Sequence, residues 1–363
     1  MYIKEIELYN FRNYSTEKIS FDKKVNIFLG NNAQGKTNLL EGIYLNAFGK
    51  SFKNIKDKEL IHFDQDYCKI KTIISKSEED EKVEILINKE GRKEIKREGV
   101  KIRRYSELLE EYFIIIFSPE DLKIVKEEPE KRRKFINREL CQIRKGYLAD
   151  LNNYNRVLKQ RNTYLKEYLI DNNVLDIWDR ELADYGSRII KKRKEFIEML
   201  SPICSDINER ITGGKESLEI KYEANVYFED NPEEEFYKLL VSKREEDKKF
   251  RTTGRGPHKD DIKISSNGID LRKFGSQGQQ RTTALSLKLS EKEIIERETG
   301  EKPVLLLDDV LSELDNERQA YLINNLGDNQ LFVTTTDIIE EVASKLPAGK
   351  IFKINNGHVE KKI

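Results

Sequence analysis

Cysteine, histidine, methionine and tryptophan are all scarce in this 363-residue chain, with three Cys, three His, two Met and one Trp. Cys68, Cys141 and Cys204 are odd in number and far apart, which argues against a disulfide framework and a cysteine metal cluster. His62, His258 and His358 stand at no metal-ligand spacing, so any base chemistry falls to carboxylates. No apolar run approaches the 18 or so residues of a membrane span. The N-terminus MYIKEIELYNF alternates like a strand, so a cytoplasmic protein that engages no membrane is expected. A net charge is missing too. The 66 Lys and Arg balance 66 Asp and Glu, so attraction to nucleic acid has to come from local patches.

What is present is enough apolar sequence, 37%, for a substantial core in two or more lobes. Residues 2–30 read as strands, and Leu39, Leu40, Ile43, Tyr44, Ala47 and Phe48 then fall at helical spacing from about Lys36 to Gly49. CKIKTIIS and KVEILIN read as two further strands. From about Ser106 to Phe250 the pattern turns to long, charged helices. Leu151, Leu158 and Leu165 sit seven apart, and Val174, Trp178, Leu182, Tyr185 and Ile189 continue the helical spacing beyond a turn at 171–173, which predicts a short antiparallel arm. Strands and helices alternate again after Arg255, through PVLLLDD, a helix near 316–326, QLFVTTT and a closing pair of strands. The expected organisation is α/β: an ATPase-like domain built from 1–105 and 251–363, with a mainly helical lobe and arm inserted at 106–250.

GNNAQGKT, Gly30 to Thr37, fits G-x-x-x-x-G-K-[ST] and lies between an apolar strand and an amphipathic helix, as a phosphate loop requires. Gly30 and Gly35 let the backbone, with Asn31, Asn32, Ala33 and Gln34, wrap a phosphate. Lys36 supplies a point charge, and the Thr37 hydroxyl is a ligand for Mg²⁺. PVLLLDD ends an apolar strand in two carboxylates, placing Asp308 for Mg²⁺ and Asp309 for orienting an attacking water. The stretch SQGQQR opens a helix with Ser276, Gly278 and Gln279. Its plain reading is a cap for that helix; its functional reading is an anion seat of backbone amides.

GNNAQGKT, SQGQQR and LLLDDVLSELD together resemble the ATP-binding-cassette superfamily, in its branch of chromosome-maintenance and recombination-repair ATPases. NFRNY at 10–14, FSPEDLKIVKEEPEKRRKF at 117–135 and GRGPHKDDI at 254–262 narrow the likeness to the bacterial recombination-repair members, over nearly the whole chain. The resemblance implies a weak ATPase that uses ATP and Mg²⁺. ATP would close a homodimer on double-stranded and gapped DNA at single-strand junctions, mediator proteins would help load recombinase there, and hydrolysis would release the complex. It also implies that Ser276, Gly278 and Gln279 reach the partner's nucleotide, that Asp315 lies in a loop at the dimer interface and that Arg12 touches phosphate. Contact with the γ-phosphate after QLFV falls to Thr336 or Asp337, since no histidine stands there. The chain departs from the family in Glu127 and Glu128, where a glycine and a small residue usually precede the proline, and in Asn137, which replaces an aspartate. Glutamate tolerates φ > 0 poorly, so the turn before Pro129 is expected to take another shape.

The missing histidine disfavours the motor subunit of a membrane transporter, and the short heptad run disfavours a long chromosome linker. A nuclease would need a further carboxylate cluster. The basic runs Lys93–Arg104, Lys131–Lys134 and Lys191–Arg193 are candidates for DNA contact, although glutamates are interleaved with them.

Overall fold

The structure, a computed structural model, describes residues 1–53, 55–76, 79–103, 106–109, 111–336 and 348–362. It divides into two compact units, one of residues 1–121 and 291–363 and the other of residues 122–290.

The first unit opens with an antiparallel sheet. Its strands are β1 (Tyr2–Phe11), β2 (Tyr14–Ser20), β4 (Tyr67–Lys76), β5 (Glu79–Asn88), β6 (Lys93–Arg97) and β7 (Val100–Lys101), in the order β2-β1-β4-β5-β6-β7. Period-two alternation gives it one apolar face, where Ile6, Leu8, Ile70, Val83 and Ile85 are fully buried. The other face carries a charge ladder across neighbouring strands, from Lys18 to Glu7 to Lys71, and from Lys69 and Lys82 to Glu84.

β3 (Val25–Leu29) belongs to a second sheet and is followed by α1 (Lys36–Phe48). After the short α2 (Ser106–Leu109) comes β8 (Ile114–Phe117). The sheet is completed from the end of the chain by β12 (Val304–Asp308), β13 (Leu331–Thr335), β14 (Lys350–Asn355) and β15 (His358–Lys362), in the order β15-β14-β3-β13-β12-β8. Every pair is parallel except β14 with β15. The central strands are apolar along their length because a parallel sheet is covered on both faces. Phe21, Phe28, Phe332 and Phe352 meet edge-on, stacked or tilted, with centroids 4.8 to 6.2 Å apart. Register aligns Asp308 with Thr334 and Thr334 with Phe28, so β3, β13 and β12 end at one level.

The second unit holds α3 (Leu122–Lys126), α4 (Pro129–Ile143), α5 (Tyr147–Tyr164), α6 (Asn172–Thr212), α7 (Pro232–Ser242), α8 (Arg244–Phe250), α9 (Leu271–Phe274) and the start of α10 (Gln277–Thr299). It also holds a small antiparallel sheet, β11-β10-β9, made of β9 (Leu218–Glu223), β10 (Asp261–Ser266) and β11 (Ile269–Asp270). α11 (Asn316–Asn325) returns to the first unit. Arg161 on α5 pairs with Asp179 on α6, whereas Asp150 and Tyr147, earlier on α5, meet Lys192 and Arg193, later on α6. The pairs run in opposite order, which makes α5 and α6 the antiparallel arm.

Three strands, β8, β10 and β11, fall on the other side of the division expected at 106–250. The run IIIF is the edge strand of the parallel sheet, pairing with β12, and its four consecutive apolar residues are all buried. β10 joins β9 of the helical part, and its neighbours Asp260 and Asp261 are tied there by Arg193 and Arg132. The turn before Pro129 has no positive φ: Glu128 is extended and leads into α4, with Pro129 at its first position. Asn137 accepts hydrogen bonds from the Tyr147 hydroxyl and from Arg193.

Candidate phosphate-loop site

α1 begins at Lys36 behind Gly35, whose φ of 116° is open to glycine and strained for other residues. A β-carbon at Gly35 would also lie 2.7 Å from the Asn13 amide nitrogen. No side chain caps the helix and its first turn has no acid, so the first N–H groups and the positive end of the dipole face the loop. The loop is held from outside. The Gln34 carbonyl accepts from Asn13 Nδ2 at 3.0 Å and from the Gly357 amide at 2.9 Å, and the Gly35 carbonyl accepts from the Tyr14 hydroxyl at 3.0 Å. Gln34 Oε1 accepts from the Asn356 amide at 2.6 Å. NFRNY thus supplies two braces of the loop, Asn13 and Tyr14, to which the motif string alone assigned no role.

The Lys36 ammonium donates to the Gly30 and Asn31 carbonyls. Burial pushes its pKa down, against the pull of Asp309 and then Asp308. Thr37 Oγ1 donates to Asp308 Oδ1 at 2.7 Å, and the same oxygen accepts from Thr334 Oγ1 at 3.0 Å. Burial raises the Asp308 pKa, opposed by these two hydroxyls. Asp309 has φ 57°, uncommon outside glycine, and its amide donates to Thr334 Oγ1 at 2.9 Å. Thr334 was the unforeseen member of this group; Thr336 is exposed, and Asp337 lies outside the described residues.

Arg12 donates to protein through all three of its side-chain nitrogens. It forms a bidentate pair with the buried Glu41 carboxylate at 2.8 Å through Nε and Nη2, and Nη1 donates to the Glu59 carbonyl. Glu41 stands one turn beyond Thr37 on α1 and also meets Ser51 and Lys53. Lys53 donates to Asn38 Oδ1 at 2.9 Å. An apolar pattern hides a glutamate at a core position, so Glu41 gave no signal in the sequence.

Ser276, Gly278 and Gln279 form a group of their own in the second unit. Gln279 N donates to Ser276 Oγ at 3.2 Å and Ser276 N to Gln279 Oε1 at 3.0 Å, a reciprocal capping box that leaves Ser276 exposed. Asp315 caps α11 by accepting from the Arg318 amide at 2.9 Å.

Thr37 and Asp308 offer the hard oxygen donors that Mg²⁺ prefers, and such a site is completed by phosphate and water oxygens. Among the described residues no group of three His, Cys, Asp or Glu is arranged to hold a metal by protein ligands alone. No helix among them is long and apolar enough to cross a membrane.

A phosphate loop between a parallel strand and a helix, with a carboxylate pair ending a nearby strand of the same sheet and a separate antiparallel sheet, defines a phosphate-loop ATPase head of the ATP-binding-cassette kind. The family described as RecF/RecN/SMC N terminal domain matches residues 2–356. The DNA replication and repair protein RecF of Agathobacter rectalis is 46% identical over 366 residues, with 99% of each chain covered, and that of Clostridium novyi is 45% identical over 359 residues, again with 99% of each covered. The solved structure of the recombination mediator protein RecF with ATP, from the RecFOR pathway, matches with a TM-score of 0.92 at 42% identity, covering 100% of this chain and 97% of the other. An Smc head bound to a ScpA winged-helix domain matches at a TM-score of 0.58 and 17% identity, covering 100% of this chain and 97% of that one, a likeness of fold. The chain belongs to the RecF family.

Proposed function

We propose that this chain is a slow, DNA-coupled ATPase of DNA replication and repair. Gly30 to Thr37 bind the triphosphate of ATP, with Lys36 on its outer oxygens. Thr37 and Asp308 hold Mg²⁺, which when bound neutralises charge on the transferred phosphoryl group. Asp309 orients the attacking water and accepts its proton. Its side chain is one methylene shorter than glutamate, so turnover should be slow, below about 1 s⁻¹ against a typical enzyme near 10 s⁻¹. ATP closes a homodimer in which Ser276, Gly278 and Gln279 of one protomer complete the nucleotide site of the other, with Asp315 at the interface. The closed dimer binds double-stranded DNA next to gaps, mediator proteins and recombinase act there, and hydrolysis releases it.

The observation that carries this reading is the Thr37–Asp308 hydrogen bond, which joins the phosphate loop to the acidic strand end in one oxygen-donor pair. The name and the ATP complex of the RecF relatives support the choice of nucleotide and of DNA. The test is Lys36→Ala. ATP-dependent binding to gapped duplex should disappear at matched salt while the far-ultraviolet circular dichroism stays that of the folded chain. Wild-type DNA affinity in the variant would refute the reading.

A further inference from the structure

The basic runs that stand out in the sequence are mostly neutralised within the fold. Lys93 pairs with Asp57, Lys96 and Lys101 with Glu94, and Arg97 with Glu81 and Glu111. Lys131 and Lys134 pair with Glu127 and Glu130, Arg132 with Asp261, Lys192 with Asp150 and Arg193 with Asp260. A quieter stretch behaves differently. From Leu151 to Lys166 the chain has no acid at all, although Asp and Glu make up 66 of its 363 residues.

This stretch forms most of α5, and its spacing puts one kind of chemistry on one line. Lys145, Ala149, Asn152, Arg156, Lys159, Thr163 and Lys166 follow one another at alternating steps of four and three, and all are exposed. The line is continuous along α5 from Ala149 to Thr163, about 21 Å at 1.5 Å per residue, with Lys145 just before the helix and Lys166 just after it. Lys145, Arg156, Lys159 and Lys166 have no ion-pair partner among the described residues. The single acid between Lys145 and Lys166, Asp150, is turned to α6, where it meets Lys192 and Arg188. Arg161, the other cation of the helix, is wholly buried against Asp179 and Asp247 and takes no part in the line.

Four unpaired cations interleaved with the Asn152 amide are what a phosphodiester backbone is bound by: charge for the phosphates and a hydrogen-bond donor between them. The line has no apolar side chain larger than Ala149, so it lacks what a helix needs to lie in a lipid surface. We propose that this face of α5 is a contact surface for the sugar–phosphate backbone of duplex DNA, binding it without regard to sequence. The proposal rests on the DNA-binding reading above and adds to it where on the chain the duplex is touched.

The test is the salt dependence of duplex binding by the full-length protein with ATP, for wild type and for the double variant Arg156→Gln/Lys159→Gln. Neutralising two phosphate contacts should lower the slope of log K against log[salt] by about two, equally for unrelated duplex sequences. ATP hydrolysis without DNA should be unchanged, because both side chains are exposed and unpartnered. A double variant that keeps the wild-type slope overturns the surface while leaving the DNA-binding reading intact. A wild type that binds no duplex with ATP overturns both. Equal loss of binding to anionic phospholipid vesicles, with DNA binding retained, would assign the line to membranes and overturn it as well.

Discussion

The Thr37 hydroxyl donates to Asp308 Oδ1 across 2.7 Å although 271 positions separate the two residues. The contact exists because β3, β13 and β12 end at one level, so Thr37 in the first turn of α1 and the last residue of β12 share a mouth. Burial makes the Asp308 carboxylate costly, and its raised pKa records that cost. Asp308→Asn keeps an oxygen acceptor for Thr37 and Thr334 while removing the charge. The variant should therefore melt no lower than wild type without nucleotide, yet lose Mg²⁺-stimulated ATP hydrolysis by roughly 10²-fold or more. Calorimetry and phosphate release check the two halves; a variant with wild-type turnover excludes Asp308 as the metal ligand.

Arg12 and Glu41 give a prediction about stability. If Arg12 served phosphate alone, its loss would leave the nucleotide-free chain untouched. The bidentate pair with a fully buried carboxylate argues otherwise, because removing Arg12 leaves that charge only Ser51 and the longer 3.4 Å contact to Lys53. Arg12→Gln should cost about 3 kcal/mol in urea unfolding without nucleotide. Arg12→Lys should fall between, since an ammonium cannot span both oxygens. Unchanged unfolding in Arg12→Gln would return the residue to the phosphate.

Most of the α/β frame was legible because it rests on periodicity. The alternation of β1, the unbroken apolar β12 and the helical spacing after Lys36 each report burial directly. The phosphate loop and the paired carboxylates were legible because their chemistry fixes their spacing. What escaped was long-range. Nothing near Asn13, Glu41 or Thr334 in the chain announces which loop or carboxylate each will meet, and the basic runs hid partners as distant as Asp261 from Arg132. The division of the units moved for the same reason, since β8 and β10 are defined by the strands they pair with and their local sequences say only that they are strands.

His258 sets a pH dependence. Its Nδ1 is 2.7 Å from the Tyr154 hydroxyl and its Nε2 is 2.9 Å from the Thr253 carbonyl, an arrangement that suits the neutral ring. Burial, opposed in part by the Thr253 contact and helped by Lys259, Arg133 and Arg193, lowers its pKa to about 4 from an ordinary value near 6.5. Between these values the unfolded chain binds a proton that the folded chain does not. Stability contributed by this residue is therefore complete above about pH 6.5, falls as pH drops toward 4, and levels off below. The loss amounts to roughly 3 kcal/mol. His258→Gln should flatten this part of the profile, seen as the wild-type minus variant difference in urea unfolding between pH 7.5 and pH 4.5. An unchanged difference across that range would show that His258 titrates normally in the fold.

Ser276 and Gln279 cap each other, so two roles for Ser276 must be separated. As a cap alone, Ser276→Arg costs about 1 kcal/mol and leaves ATP-driven assembly intact. As part of the partner's nucleotide site, the same change puts a long cation into the closing interface and blocks it. An isologous dimer has two composite sites, each with the Lys36 loop of one protomer and the Ser276 loop of the other. In a heterodimer of Lys36→Ala and Ser276→Arg chains one site collects both lesions and the other has none, whereas each homodimer has two damaged sites. Mixing the inactive variants should therefore restore part of the ATP-dependent dimerisation and hydrolysis, followed by light scattering and phosphate release. If Ser276→Arg dimerises with ATP on its own, or binds ATP normally and mixing restores nothing, Ser276 is a helix cap and the partner's site is completed elsewhere.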